Sequence, residues 1–283
     1  MTFISYAQNF EDVMLRRALR HVENGFYIDV GAWSPDTDSV TRAFYERGWS
    51  GINVEPNPEF HAQLQERRAR DRNLCLAVGD REGSLTMNFL GNPGLSTLDD
   101  AIAAKHQLAG WSLKRQQVQV STLAVLWQQH VAAGQDVHFL KVDVEGFEDV
   151  VLRGNDWQKG RPWIVVVEAT LPMSRVESHA TWEPLLFDAG YLFAYADGLN
   201  RFYVAQERSE LLNAFKYPPN VFDDFTSIRI QQAEARAETA EARAETAEAQ
   251  VAHILNSKTW QLTAPLRWSI RQFRTLQKRF RRS

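Results

Sequence analysis

Phe26-Tyr27-Ile28-Asp29-Val30-Gly31-Ala32 is an apolar run closed by an acid and a glycine, and a stretch with helical spacing follows it. The run reads as a strand over residues 25–30. The spacing predicts a helix over residues 35–47, with Val40, Ala43 and Phe44 on one side, Asp36 and Asp38 in the first turn, and Gly48 to stop it. Gly31 lets a ligand approach the backbone where a Cβ would collide, and a helix starting directly after the strand would offer unpaired N–H groups to a carboxylate. An anionic or zwitterionic cofactor suits that arrangement. A dinucleotide fingerprint needs glycine where Trp33 and Asp36 stand, which argues against NAD and FAD.

Outward from this strand, short β-branched runs alternate with helical patterns over the first two hundred residues, the rhythm of βα units around a mostly parallel sheet. Further strands are read at residues 51–55, 74–78, 137–142 and 163–168, and a short helix at 182–189. Residues 191–195 and 201–205 read as a hairpin turning through Asp197-Gly198-Leu199-Asn200. Glu55 ends the second strand, where an acid accepts both hydroxyls of a ribose. Taken alone, such an acid is more often a helix cap or a surface charge than a ligand; Asp29 and Glu55 together, both at strand ends, point to a nucleoside-containing ligand.

The run Lys141-Val142-Asp143-Val144-Glu145-Gly146 delivers two carboxylates to the carboxyl edge of the sheet, and Glu168 ends the next strand similarly. Three acids at one edge raise at least one pKa among them or hold a cation. Either outcome suits removal of a proton from an alcohol. The structural alternative makes Glu145 the cap of the next helix and Glu168 the anchor of a loop. His179 is a second candidate base, because its ordinary pKa lies near neutrality. A magnesium ion held by the carboxylates remains open.

The composition, 44% hydrophobic and 24% charged, is that of a soluble globular chain, with no run of roughly 20 apolar residues to span a bilayer. The first residues lack an export signal, and Cys75 is the single cysteine, which excludes an internal disulfide; a reducing, cytoplasmic setting is expected. The formal charge of −3 divides into about −9 for residues 1–228 and +6 for residues 229–283. An acidic body argues against nucleic acid as a partner.

Near residue 229 a seven-residue period begins, with Ala-Glu-Ala-Arg-Ala-Glu-Thr at 233 and again at 240. Ile230, Ala233, Ala237, Ala240, Ala244, Ala247, Val251 and Ile254 form a seam, so residues 229–258 read as an Ala-rich coiled coil that makes the protein a homo-oligomer, or as a solvated spacer helix. Residues 259–283 read as a basic amphipathic helix, with Leu266, Ile270, Phe273, Leu276 and Phe280 on one face and Arg267, Arg271, Arg274, Lys278 and Arg279 largely off it. Such a helix lies on anionic lipid, docks on an acidic partner, or packs against the coil.

Several of these segments together resemble the FkbM family of methyltransferases that use S-adenosylmethionine. They are the YIDVGA strand, GINVEPNP from Gly51, AVGD at 77–80, VSTL at 120–123, LKVDVEGFE at 140–148 and the Ser5…Gln8…Glu11-Asp12 opening. The resemblance covers roughly residues 3–225. It implies a class I, Rossmann-like α/β fold: a seven-stranded, mostly parallel sheet with helices on both faces and a reversed last strand. S-adenosylmethionine would be the cofactor, with Gln8, Asp29, Gly31, Ala32, Glu55, Asp80 and Asp143 around it. Asp143, Glu145, Glu168 and His179 would serve the acceptor. Trp127, Trp182, Tyr191, Tyr195, Phe202, Tyr203 and Trp111 are candidates for a sugar-stacking platform, though also natural core residues. Residues 257–267 resemble a segment found after coiled coils in bacterial polysaccharide glycosyltransferases. The whole reads as an O-methyltransferase acting on a sugar of a surface polysaccharide or its lipid-linked precursor, near a glycosyltransferase partner or the inner membrane. Two alternatives are a non-catalytic scaffold, suggested by Trp33 and Ala124, and an enzyme acting on a macrolide-type metabolite.

Overall fold

The structure is a computed structural model that describes residues 2–90, 96–97, 108, 113–172 and 174–271. It divides into two units, Met1–Ser227 and Ile228–Ser283. Strands of the first unit are β1 (Phe3–Ser5), β2 (Phe26–Val30), β3 (Ser50–Val54), β4 (Arg72–Leu74), β5 (Ala77–Gly79), β6 (Gly83–Leu90), β7 (Ser96–Thr97), β8 (Leu113–Thr122), β9 (Phe139–Val142), β10 (Ile164–Glu168), β11 (Tyr191–Ala196), β12 (Asn200–Ala205) and β13 (Phe225–Ser227). Its helices are α1 (Glu11–Ala18), α2 (Arg42–Glu46), α3 (Pro58–Arg67), α4 (Leu123–His130), α5 (Glu148–Arg153) and α6 (Glu183–Asp188).

Seven strands form one mixed sheet in the order β11-β12-β10-β9-β2-β3-β4. The run from β4 to β10 is parallel, and β12 opposes both β10 and β11. β2, β3, β9 and β10 are buried on both faces, so none shows the strict apolar–polar alternation of a half-exposed strand. Ile28, Val30, Ile52 and Val54 meet Leu126 of α4, Val151 of α5 and Leu186 of α6 on one face. Tyr27 and Phe139 meet Leu15 of α1 and Phe44 of α2 on the other. The α/β expectation holds, as three layers around a mixed sheet. Asp197 closes the β11–β12 hairpin by accepting from the N–H groups of Leu199 and Asn200, and Gly198 supplies the left-handed turn at φ 94°.

Two local expectations are corrected. The helix read over residues 35–47 is only α2, and residues 35–41 form a loop wrapped on a buried cation. The fully buried Arg68 donates to Pro35 O at 3.1 Å and to Ser39 Oγ at 2.9 Å, while Ser34 Oγ accepts from Thr37 N. Those bonds satisfy the backbone without a helix. The strand read over residues 74–78 is two strands in different sheets: β4 extends the central sheet beside β3, and β5 joins a separate sheet ordered β5-β8-β6-β7. Both halves are extended; only the partner changes between them.

In the second unit, α7 (Ile228–Asn256) runs for 29 residues with no buried side chain. Ser257 leaves helical geometry and caps α8 (Lys258–Leu262) by accepting from Trp260 N, and residues 264–271 are helical again. Phe273, Arg274, Leu276, Lys278, Arg279 and Phe280 of the basic amphipathic pattern lie outside the described residues, as does Trp111. Among the described residues no helix is long and apolar enough to cross a membrane.

Candidate active site

The site starts where β2 leaves the sheet. Gly31 sits at φ 81°, and a Cβ built on it would lie 1.8 Å from the carbonyl oxygen of Asp143. Its glycine thus answers a neighbouring loop as much as a ligand. The N–H groups of Gly31 and Ala32 donate to Val54 O at 3.0 and 3.1 Å. Trp33 N donates to Glu55 Oε2 at 2.9 Å, and Asn57 N donates to Glu55 Oε1 at 2.7 Å. Glu55 is therefore held in one orientation, with further lone pairs on both oxygens. Burial pushes its carboxyl up to about 7, against the pull of those two backbone bonds.

Strand pairing builds the second wall. Asp29 of β2 lies directly opposite Lys141 of β9, so the two side chains share a face. Lys141 Nζ stands 3.5 Å from Asp29, 3.2 Å from Asp143 and 3.3 Å from Gly31 O. Burial works against its charge, but Asp143 and Asp29 outweigh that and hold it protonated. Beyond β9 the loop reverses through Glu145 at φ 55° and Gly146 at φ 97°. Glu148, rather than Glu145, ties that loop to α5, accepting from Val144 N and Gly146 N at 3.1 Å each. Glu145 is left in the cavity wall, where burial and then Asp143 push its carboxyl to about 7. Burial and then Asp143 drive Glu168 well above the carboxylate range, so it is protonated at neutral pH.

These parts enclose an open cavity of about 230 Å³. Gln8, Asp38, Glu55, Lys141, Asp143 and Glu145 are its polar wall; Gly31, Ala32, Trp33, Pro56, Phe60, Met87 and Val144 complete it. The indole of Trp33 stands edge-on to Phe60 at 5.9 Å, and its Nε1 is buried without a hydrogen-bond partner. The Ser5…Asp12 opening has a mechanical reason: Asp12 accepts from Ser5 Oγ and Tyr6 N, which fastens the segment that carries Gln8.

Of the residues read from sequence, Gln8, Gly31, Ala32, Glu55, Asp143 and Glu145 line the cavity together. Asp29 does not: it lies beneath the wall, bonded to Thr41 Oγ1 and paired with Lys141, because strand alternation turns it towards the α1 face. Glu168 lies outside the wall, close enough to Asp143 and Glu145 to feel both charges. Asp80 falls outside the wall, just past β5 of the other sheet and beside Arg81. His179 also falls outside, between Glu177 at 3.4 Å and Glu183 at 3.9 Å. Of the platform aromatics, Trp182, Tyr191, Phe202 and Tyr203 are core, and Trp127 and Tyr195 pack against it. Among the described residues no three His, Cys, Asp or Glu side chains are grouped to hold a metal; Lys141 takes the place of a cation between Asp29 and Asp143. Sequence reasoning missed Asp38, Lys141, Phe60 and Met87 as wall residues. Lys141 had a signal, because it lies two residues before Asp143 at the end of a strand, where side chains repeat every second position.

Residues 29–193, more than half of the chain, match the methyltransferase FkbM domain. The chain belongs to the FkbM methyltransferase family. No curated protein matches it. Among solved structures it is similar to a TehB-like SAM-dependent methyltransferase from Corynebacterium glutamicum, with 8% identity and a TM-score of 0.38 over 68% of this chain and 87% of that one. It is also similar to a precorrin-6y C5,15-methyltransferase from Geobacter metallireducens, with 12% identity and a TM-score of 0.33 over 67% and 78%. Likenesses this distant assign no residue roles.

The family implies S-adenosylmethionine as methyl donor, and the wall fits it. Glu55 would offer a fixed carboxylate to vicinal hydroxyls, Phe60, Pro56 and Met87 would give an apolar surface for a purine, and acids outnumber Lys141 in a wall that would face a cationic ligand. Hydroxyl donation needs Glu55 ionised, and its raised pKa lies inside the working range. Affinity for S-adenosylmethionine is therefore expected to rise about tenfold between pH 6 and 8. Calorimetry at the two pH values checks this, and Glu55→Gln should bind weakly with a flatter profile.

Proposed function

We propose that the protein transfers a methyl group from S-adenosylmethionine to a hydroxyl oxygen on a sugar of a surface polysaccharide or its lipid-linked precursor. The observation that carries the reading is the Asp143, Glu145 and Glu168 group beside the Glu55 wall. The donor supplies a methyl group already activated on a sulfonium. The chain's own work is alignment and removal of one proton.

Glu145 takes that proton. Its carboxyl titrates near neutrality and lies in the cavity wall, whereas Asp143 is ion-paired with Lys141 and Glu168 already carries a proton. Asp143 accepts from the acceptor's hydroxyl network and sets its orientation. Support for a glycan comes from the segment at residues 257–267, and the basic tail would hold the enzyme at the cytoplasmic face of the membrane or on a glycosyltransferase.

Purified enzyme, labelled donor and lipid-linked oligosaccharide test the reading, with a base-stable methyl ether as the expected product. Glu145→Gln should lower kcat by about 10²–10⁴-fold with donor affinity unchanged. Label that enters nitrogen or carbon, or no transfer to any glycan, overturns it.

A further inference from the structure

We infer that α7 pairs with α7 of a second copy as a parallel, in-register, two-stranded coiled coil. The helix is continuous over Ile228–Asn256, and Ile230, Val251 and Ile254 on its seam are 53%, 54% and 52% exposed. Placed in a heptad, the seam puts Ile230, Ala237, Ala244 and Val251 at position a, and Ile254 ends the d positions. β-Branched residues at a favour two strands.

The charges decide the partner. Position g carries Arg236 and Arg243; position e carries Glu234, Glu241 and Glu248. Three and four residues to either side of each arginine the helix has only Ala, Thr or Gln, so neither arginine has an acid at the spacing that stabilises a lone helix. The glutamates make matters worse: Glu234 and Glu238, like Glu241 and Glu245, are like charges four apart. A solvated spacer would be poorly served by this pattern. A parallel partner in register answers it, because each g residue then faces the e residue five positions on. Arg236 meets the partner's Glu241, and Arg243 meets the partner's Glu248. An antiparallel pair would set arginine against arginine and glutamate against glutamate. Acids flanking the seam also repel anionic lipid. The small alanine seam holds the helices close but buries little area, so the charge pairs carry an unusual share of the specificity.

The full chain tests this. In sedimentation the wild-type protein should be a dimer. Arg236→Glu with Arg243→Glu should raise the dimer dissociation constant about 10- to 100-fold, and mixing with a chain carrying Glu241→Arg and Glu248→Arg should restore pairing. With Cys75→Ser as background, Ala237→Cys should oxidise to a covalent dimer, since only the in-register parallel pair brings two copies of position 237 together. A monomer at tens of micromolar, a trimer or tetramer, or a dimer in which Ala237→Cys fails to cross-link would overturn the inference.

Discussion

Replacing Lys141 by methionine is expected to destabilise the fold by about 3–5 kcal/mol at pH 7 and to abolish methyl transfer. The substitution keeps the apolar stem but leaves two carboxylates without their cation. Asp143 is 37% exposed at its side chain and can turn to water, whereas Asp29, at 2%, cannot. Most of the loss therefore comes from Asp29, whose carboxyl must either stay charged in an apolar layer or take up a proton. The sign with pH follows. Acid relieves a buried carboxylate that has lost its cation, so the deficit shrinks as pH falls and grows as it rises. Urea denaturation at pH 5 and 7 should show the gap widening at the higher pH. Adding Asp29→Asn should recover part of it, and additivity of the two substitutions would mean that the pair is not coupled.

Gly31→Ala is expected to have the second largest effect, a loss of about 2–5 kcal/mol together with the collapse of donor binding. Two separable penalties meet at this position. At φ 81° a Cβ is strained wherever it points, and here it also runs into Asp143 O at 1.8 Å. Gly198 provides the comparison: at φ 94° with nothing within 4 Å, Gly198→Ala meets only the backbone strain, about 1–2 kcal/mol. The difference between the two variants in thermal denaturation isolates the contact between β2 and the loop after β9. Equal losses would show that the close approach does not constrain the chain.

What the sequence disclosed follows from where physics acts locally. Short β-branched or apolar runs between helical patterns announce β2, β3, β9 and β10 near their observed bounds, and Asp197-Gly198 announces the hairpin. The carboxyl ends of those strands then place Glu55, Asp143 and Glu145 together. What stayed hidden depends on neighbours distant in sequence. Asp29 and Lys141 form a pair only because β2 lies beside β9, which no periodicity reveals. Residues 35–41 have the spacing of a helix and are denied it by Arg68, a cation contributed from the far end of α3. Met87 reaches the cavity from β6, a strand of the second sheet, whereas Asp80, just past β5 of that same sheet, does not.

The parallel pairing of β1 with β13 places the first residues of the catalytic unit against its last. Phe3 is fully buried, with the guanidinium groups of Arg16 and Arg47 over its ring at 4.8 and 4.9 Å. The two ends act as a clasp, each the other's lid. Proteolytic trimming of either one strips the cover from the other, so a shortened enzyme must keep both ends or forfeit both.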